Sequence, residues 1–396
     1  MNKNGKNNQR EERADKTRGG YMGLYTMTYL AIGIMVPLIG QYLSALGFSG
    51  AQIGTVTGTG TCVAIFASGF WGKIYANSAV KARVILALCV LAAGTALFIT
   101  QISQYIPFLF CFAIMYFFQA PIMPLSDAMT LDSGQSFGRV RLWGAVGFAA
   151  GVFLSAYTAE EVGLWIVFPS YAFCYLLAAL IIYRISKRIR KKRTLDEGVK
   201  PVAEKKRYRD LAGSKRLWAL VASAFFLCGT NVANNTYFSF LYIKGGGTLA
   251  GVGLAFLLMA GSEAPFMAFT GKLSSRFSLE RMILFAMVLS VGRFAWYSTG
   301  PGHIALLATF FLQGAVNGII LVEFVRYIAK LVEQSYIGVA VAAYYSISAS
   351  GSTIVCQMAG GWMLDIFGPP GVYGFFAVFN AIGLVLYLVF GLHRSG

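Results

Sequence analysis

Residues 121–148 read PIMPLSDAMTLDSGQSFGRVRLWGAVGF. Apolar runs flank this stretch on both sides, yet it carries two carboxylates, Asp127 and Asp132, and two guanidinium groups, Arg139 and Arg141. Ser133, Gly134 and Gln135 read as a tight turn. The stretch is therefore the end of one helix, a turn and the start of the next. Gly144, Gly147 and Gly151 give the second helix a small-residue face, which admits close helix contact in lipid. Charges near an apolar span are costly and persist where they pair or face a water-filled path. Asp132 and Arg139 also suit a turn lying in the headgroups. Asp127 and Arg141 lie deeper in their runs.

Working outward, the whole chain has the same character. Its 396 residues are 57% hydrophobic and 12% charged, where a soluble domain is nearer a quarter charged. Apolar runs of about twenty residues, each long enough to span a bilayer, recur from end to end. Six cysteines fall inside those runs with no CxxC or Cys/His cluster, so neither a disulfide framework nor a metal site is expected. The first twenty residues are polar and basic with no apolar h-region, so no cleaved signal peptide is expected. No P-loop, G-x-S-x-G or nucleotide fingerprint occurs, which argues against ATP-driven transport and against a catalytic role.

The patterning gives twelve spans, an all-α integral membrane protein. A basic tail (1–20), read as disordered, precedes the first six spans (21–186). A basic linker (187–215) separates them from the second six (216–393). The net charge of +17 would suggest nucleic acid in a soluble protein, but here the loops explain it. Six Lys or Arg fall in the tail and fourteen between Arg184 and Arg216, whereas the opposite side has only Lys244. Cationic residues accumulate on the cytoplasmic side, so both termini and the linker are expected inside, at a cell membrane, with no nucleic-acid partner.

The halves repeat. YLSALGFSGAQIG ends at Gly54 and LYIKGGGTLAGVG at Gly253; Gly72-Lys73 parallels Gly271-Lys272. The offset is constant, 253 − 54 = 199 and 271 − 72 = 199. This implies two pseudo-symmetric six-helix bundles with a site at the repeat interface, the layout of a rocking transporter.

Twelve spans, a six-and-six division and Gly-Lys loops after spans two and eight together resemble the major facilitator superfamily. PLSDAM followed by FGRVRLWGAVGF is similar to the span-four to span-five signature of its oligosaccharide, nucleoside and phenylpropionate permease branch, which includes lactose permease. The resemblance implies substrate-binding roles for Asp127 and Arg141. SEAPFM and SVGRFAWYS resemble the span-eight acid and span-nine arginine, implying proton-coupling roles for Glu263 and Arg293. Departures are visible. Ala76 and Ser275 stand where the loop signature has an acid, and Gln313 and Val316 occupy the region of lactose permease's span-ten His/Glu pair.

Glu263 lies about fifteen residues into its span, about 22 Å along the axis at 1.5 Å per residue. Desolvation there favours the protonated carboxyl, and Arg293 is its expected partner. Asn231 and Asn235 share a helix face at i, i+4 and could meet a substrate hydroxyl or make an interhelical bond. Glu323 and Arg326 share a face at i, i+3, and Arg326 is Asp127 plus 199, which suggests a gate made of charge pairs. The expected function is a proton-coupled symporter for a sugar, nucleoside or aromatic acid. It would work as a monomer, with no cofactor and the proton gradient as its energy source. The alternatives are a multidrug/proton antiporter of the same fold, whose span-five proline is missing from GAVGFAAGVFLSA, and a membrane sensor or enzyme.

Overall fold

The computed structural model describes residues 3–78, 80–133, 135–190, 213–273 and 277–394. Gly134, most of the linker, and Ser275 and Arg276 of the second Gly-Lys loop lie outside them. All the regular elements described are helices: α1 (Lys3–Met35), α2 (Ile39–Ala45), α3 (Gly50–Asn77), α4 (Lys81–Ile99), α5 (Tyr105–Gln119), α6 (Ile122–Asp132), α7 (Phe137–Val162), α8 (Val167–Arg190), α9 (Lys215–Lys244), α10 (Leu249–Leu273), α11 (Leu279–Tyr297), α12 (His303–Ala308), α13 (Phe310–Leu331), α14 (Ile337–Tyr344) and α15 (Ser352–Val389). A π-helical segment, Tyr345–Gly351, joins the last two.

Nine helical segments among the described residues are long and apolar enough to cross a membrane, or ten if α1 and α2, bent by 43°, form one span. The expected twelve are not reached by that measure, for two physical reasons. The last segment, Gln334–Val389, counts once although Gly368 breaks it with φ 68° and ψ −173°. Only glycine adopts such a backbone readily, and Pro369 disfavours a helical residue before it. Helix α11 carries Glu280, Arg281 and Arg293 within nineteen residues, too much charge for a plainly apolar span. The chain is a multi-pass membrane protein. Its exposed large side chains, Phe66, Phe98, Ile304 and Val389 among them, are suited to hydrocarbon.

The tail departs from expectation. Helix α1 begins at Lys3 and contains no proline, so a ladder nucleated in the apolar run Tyr21–Met35 extends backwards at one hydrogen bond per residue.

The chain forms two compact units, 1–36 with 63–201 and 37–62 with 202–396. The division is not the plain halving of the sequence, because residues 37–62 join the second unit. In the first unit, α7 lies directly against α1. A Cβ at Gly144 would come 2.7 Å from the Tyr29 ring, and one at Gly147 or Gly151 would strike the carbonyl of Thr26 or Leu30. The small-residue face read from the sequence is this contact. In the second unit, α9 is largely buried among its neighbours, and Ser348 and Ser352 bond to its carbonyls at Val221 and Phe225.

The junction of 37–62 with the second unit has a specific chemistry. Ser49 and Gln52 form a capping box, with Ser49 N donating to Gln52 Oε1 at 3.0 Å and Gln52 N to Ser49 Oγ at 3.2 Å. Two amides at the start of α3 remain. Asp365 of α15 accepts both, from Gly50 N at 2.5 Å and Ala51 N at 2.8 Å. A Cβ on Gly361 would collide with Gly50 O, so the two backbones touch. Asp365→Ala removes the acceptor and the favourable charge at a helix N-terminus. It should lower stability by about 1–2 kcal/mol, measured as thermal unfolding of the detergent-solubilised chain. An unchanged melting temperature would show that the cap contributes nothing.

Candidate functional site

Each unit holds its own polar cluster. In the first, Asp127 projects from α6 and Arg141 from α7, on either side of the turn. Pro121, which lacks the N–H a continuous helix needs, separates α5 from α6, so the Asp127 helix starts afresh at Ile122. Arg141 Nη1 donates to Asp127 Oδ2 at 3.0 Å, with side chains 50% and 24% exposed. Tyr25 of α1 donates its hydroxyl to the other oxygen, Oδ1, at 2.5 Å. Tyr25 is buried and stacks on Tyr29 with ring centroids 6.2 Å apart. Arg141 lies over the Phe137 ring at 5.5 Å. The expected pairing of Asp127 with Arg141 is thus present, with a third member the sequence did not reveal. Asp132 pairs instead with Lys81 at 2.6 Å, both exposed, and Arg139 is exposed, as a turn in the headgroups would have them.

The second unit solves the charge problem differently. Arg293 of α11 is 2% exposed. Its Nη2 donates to Asn231 Oδ1 at 2.7 Å, its Nη1 donates to Gln313 Oε1, and Phe294 lies 4.3 Å beneath it. Its Nε is buried without a partner among the described residues. Glu263 is not its partner, contrary to expectation. Half-buried Glu263, on α10, accepts from Asn317 Nδ2 at 2.7 Å. The reason lies in α13. Gln313 and Asn317 are one turn apart on one face, so α13 offers one amide to α11 and the next to α10. Helix α10 comes close because Gly314 and Gly318 face it. A Cβ there would collide with Ser262 or come 2.9 Å from Phe266.

The remaining expected residues divide. Asn231 is buried, its Oδ1 accepting from Arg293 and its Nδ2 donating to the Leu227 carbonyl at 3.0 Å. Asn235, one turn on, is partly exposed and has no hydrogen-bond partner among the described residues. Glu323 and Arg326 pair with each other along α13 at 3.0 Å, the acid fully buried and the arginine 49% exposed. They form an intrahelical pair. Sequence reasoning missed Asn317 and the bond of Tyr25 to Asp127. The Gly314-x-x-x-Gly318 spacing was the one signal that could have placed α13 against α10.

A model of the family described as MFS_1 like matches residues 20–375. The maltose permease of Geobacillus stearothermophilus is 29% identical over 370 residues, 92% of each chain. The probable 3-phenylpropionic acid transporter of Escherichia coli (strain K12) is 24% identical over 379 residues, 93% of this chain and 95% of that one. The crystal structure of the nucleoside transporter NupG matches with a TM-score of 0.78 at 16% identity, over 96% of this chain and 100% of that one; at that identity the likeness is one of fold.

The geometry makes the α1–α7 contact a condition for the first cluster. Gly147→Leu would force the two helices apart at Thr26, the residue next to Tyr25, and overpacking of this kind costs about 1–3 kcal/mol. The variant should melt earlier than the wild type in detergent. A melting temperature equal to the wild type would mean that the helices do not need this contact.

Proposed function

This chain belongs to the MFS_1-like family, and from that premise we propose that it is a proton-coupled symporter moving a sugar, nucleoside or aromatic acid by alternating access. That it is a membrane transporter and not an enzyme follows from the family and its relatives. The finer reading rests chiefly on one observation, the half-exposed Arg141 held by Asp127 in an otherwise apolar region. A paired charge of this kind supplies directed hydrogen bonds to a polar solute without leaving a net charge in the membrane. In the second unit Asn235, partly exposed and without a hydrogen-bond partner among the described residues, and Asn231, bonded to Arg293, are assigned to substrate on their shared helix face.

For energy coupling we assign the proton to Glu263. Its one partner among the described residues, Asn317, is a neutral amide, so its carboxyl gains or loses a proton without breaking an ion pair there. Arg293 contributes a fixed positive charge in the same unit, and Glu323–Arg326 is a further charge pair for a gate. The two sequence repeats, 21–186 and 216–393, are the elements proposed to rock. The protein would act at the cell membrane, as a monomer with both termini and the linker cytoplasmic, and with no cofactor beyond the proton gradient.

Uptake into proteoliposomes with an imposed proton gradient, against maltose, uridine and 3-phenylpropionate, tests the reading. At least one should accumulate above equilibrium; accumulation of none would contradict it. Asp127→Asn leaves Arg141 without its counter-charge and should abolish binding measured by calorimetry, while the protein still inserts. Unchanged binding would reduce the pair to a structural role. Glu263→Gln should lose gradient-driven accumulation yet keep exchange at equal concentrations. Wild-type accumulation in that variant would remove Glu263 from the mechanism.

A further inference from the structure

A guanidinium beside a lone carboxylate favours the two-point fork, in which two parallel N–H groups meet both oxygens. Asp127 and Arg141 do not adopt it. Among the described residues Arg141 makes one hydrogen bond, Nη1 to Oδ2 at 3.0 Å, while Oδ1 accepts from the Tyr25 hydroxyl at 2.5 Å. We propose that Tyr25 is a positioning residue. By occupying one oxygen of Asp127 it keeps the pair single-pointed, and so reserves the Nε and Nη2 donors of Arg141 for two neighbouring oxygens of the substrate. The inference rests on the reading of Asp127 and Arg141 as substrate-binding.

Three observations carry it. Tyr25 is 2% exposed, so its hydroxyl, which donates to Asp127, is shielded from bulk solvent. The ring is held in place by Tyr29, stacked on it with centroids 6.2 Å apart. Tyr29 is itself hemmed in by α7 at Gly144, where a Cβ would lie 2.7 Å away. Arg141, by contrast, is half-exposed, and its Nε and Nη2 make no hydrogen bond to the described residues. Phe137 lies 5.5 Å from the guanidinium centre. The group that results is a supported planar donor edge, neutralised by Asp127 yet not used up by it. Two adjacent acceptor oxygens suit that edge, whether the vicinal hydroxyls of a sugar or the carboxylate of an aromatic acid.

The test is a two-by-two set of variants of the full chain, with binding of maltose, uridine and 3-phenylpropionate measured by calorimetry. Tyr25→Phe keeps the ring and removes the hydroxyl. Oδ1 is released, Arg141 closes into the fork, and the affinity for the bound probe should fall about tenfold, the loss of one hydrogen bond to a charged donor. In an Arg141→Lys background the same change should move affinity by less than about twofold, since an ammonium is a point charge that cannot fork. An equal loss in both backgrounds would make Tyr25 a packing residue, and no loss in the wild-type background would leave it without a role. Either result overturns the proposal. Should Arg141→Lys itself leave affinity unchanged, the substrate-binding reading of the pair fails, a result distinct from the other two. Binding of none of the three probes by the wild type overturns both. Which probe binds separates vicinal hydroxyls from a carboxylate.

Discussion

A carboxylate drawn into an apolar span costs several kcal/mol unless it is paired and hydrogen-bonded, and the arrangement of the first unit follows from meeting that cost for Asp127. Its two oxygens are met by two helices, α1 through Tyr25 and α7 through Arg141. For a phenol on α1 to reach across, α1 and α7 must touch along their backbones. Gly144, Gly147 and Gly151 are the residues that permit it. The small-residue face and the charge pair, which look like separate features of the sequence, are parts of one solution.

The second unit buries a charge with amides. Among the described residues Arg293 pairs with no carboxylate; Asn231 and Gln313 accept from its terminal nitrogens, and the rings of Phe294 and Tyr297 lie against it. Dipoles rather than a counter-charge stabilise the cation, so the positive charge is not cancelled locally. Glu263 is similarly left with a single amide. A carboxyl held by a neutral amide, as Glu263 is, can gain or lose a proton without a pair having to break. A charge held by its opposite, as in Asp127–Arg141, is suited to offering directed hydrogen bonds. On this reading the two clusters divide the work between solute and proton.

The sequence made the class of the molecule legible because apolarity, Lys/Arg bias and the 199-residue repeat are properties of composition and spacing. The Asp127–Arg141 pair was legible for a similar reason. Its members lie fourteen residues apart across one turn, so local helix geometry brings them together. Tyr25 was not legible, being 102 residues from Asp127 with no local pattern linking them. Glu263 and Arg293 were expected to meet because both lie deep in neighbouring spans. Depth gives position along an axis but not rotation about it, and Gln313 and Asn317 of α13 intervene. The same limit hid which helix Asn231 bonds to, here α11 through Arg293. Nor could spacing show that Asp365 caps α3 at Gly50 and Ala51, more than 300 residues away in the chain, or that residues 37–62 join the second unit.

The central claim is that solute and proton move together through one protein. The most direct measurement is the pH outside lightly buffered, de-energised vesicles when maltose, uridine or 3-phenylpropionate is added. The account predicts that a transported solute alkalinises the medium as protons enter with it, and that Glu263→Gln abolishes this signal while solute still equilibrates. Solute entry by the wild-type protein with no change in external pH would contradict it.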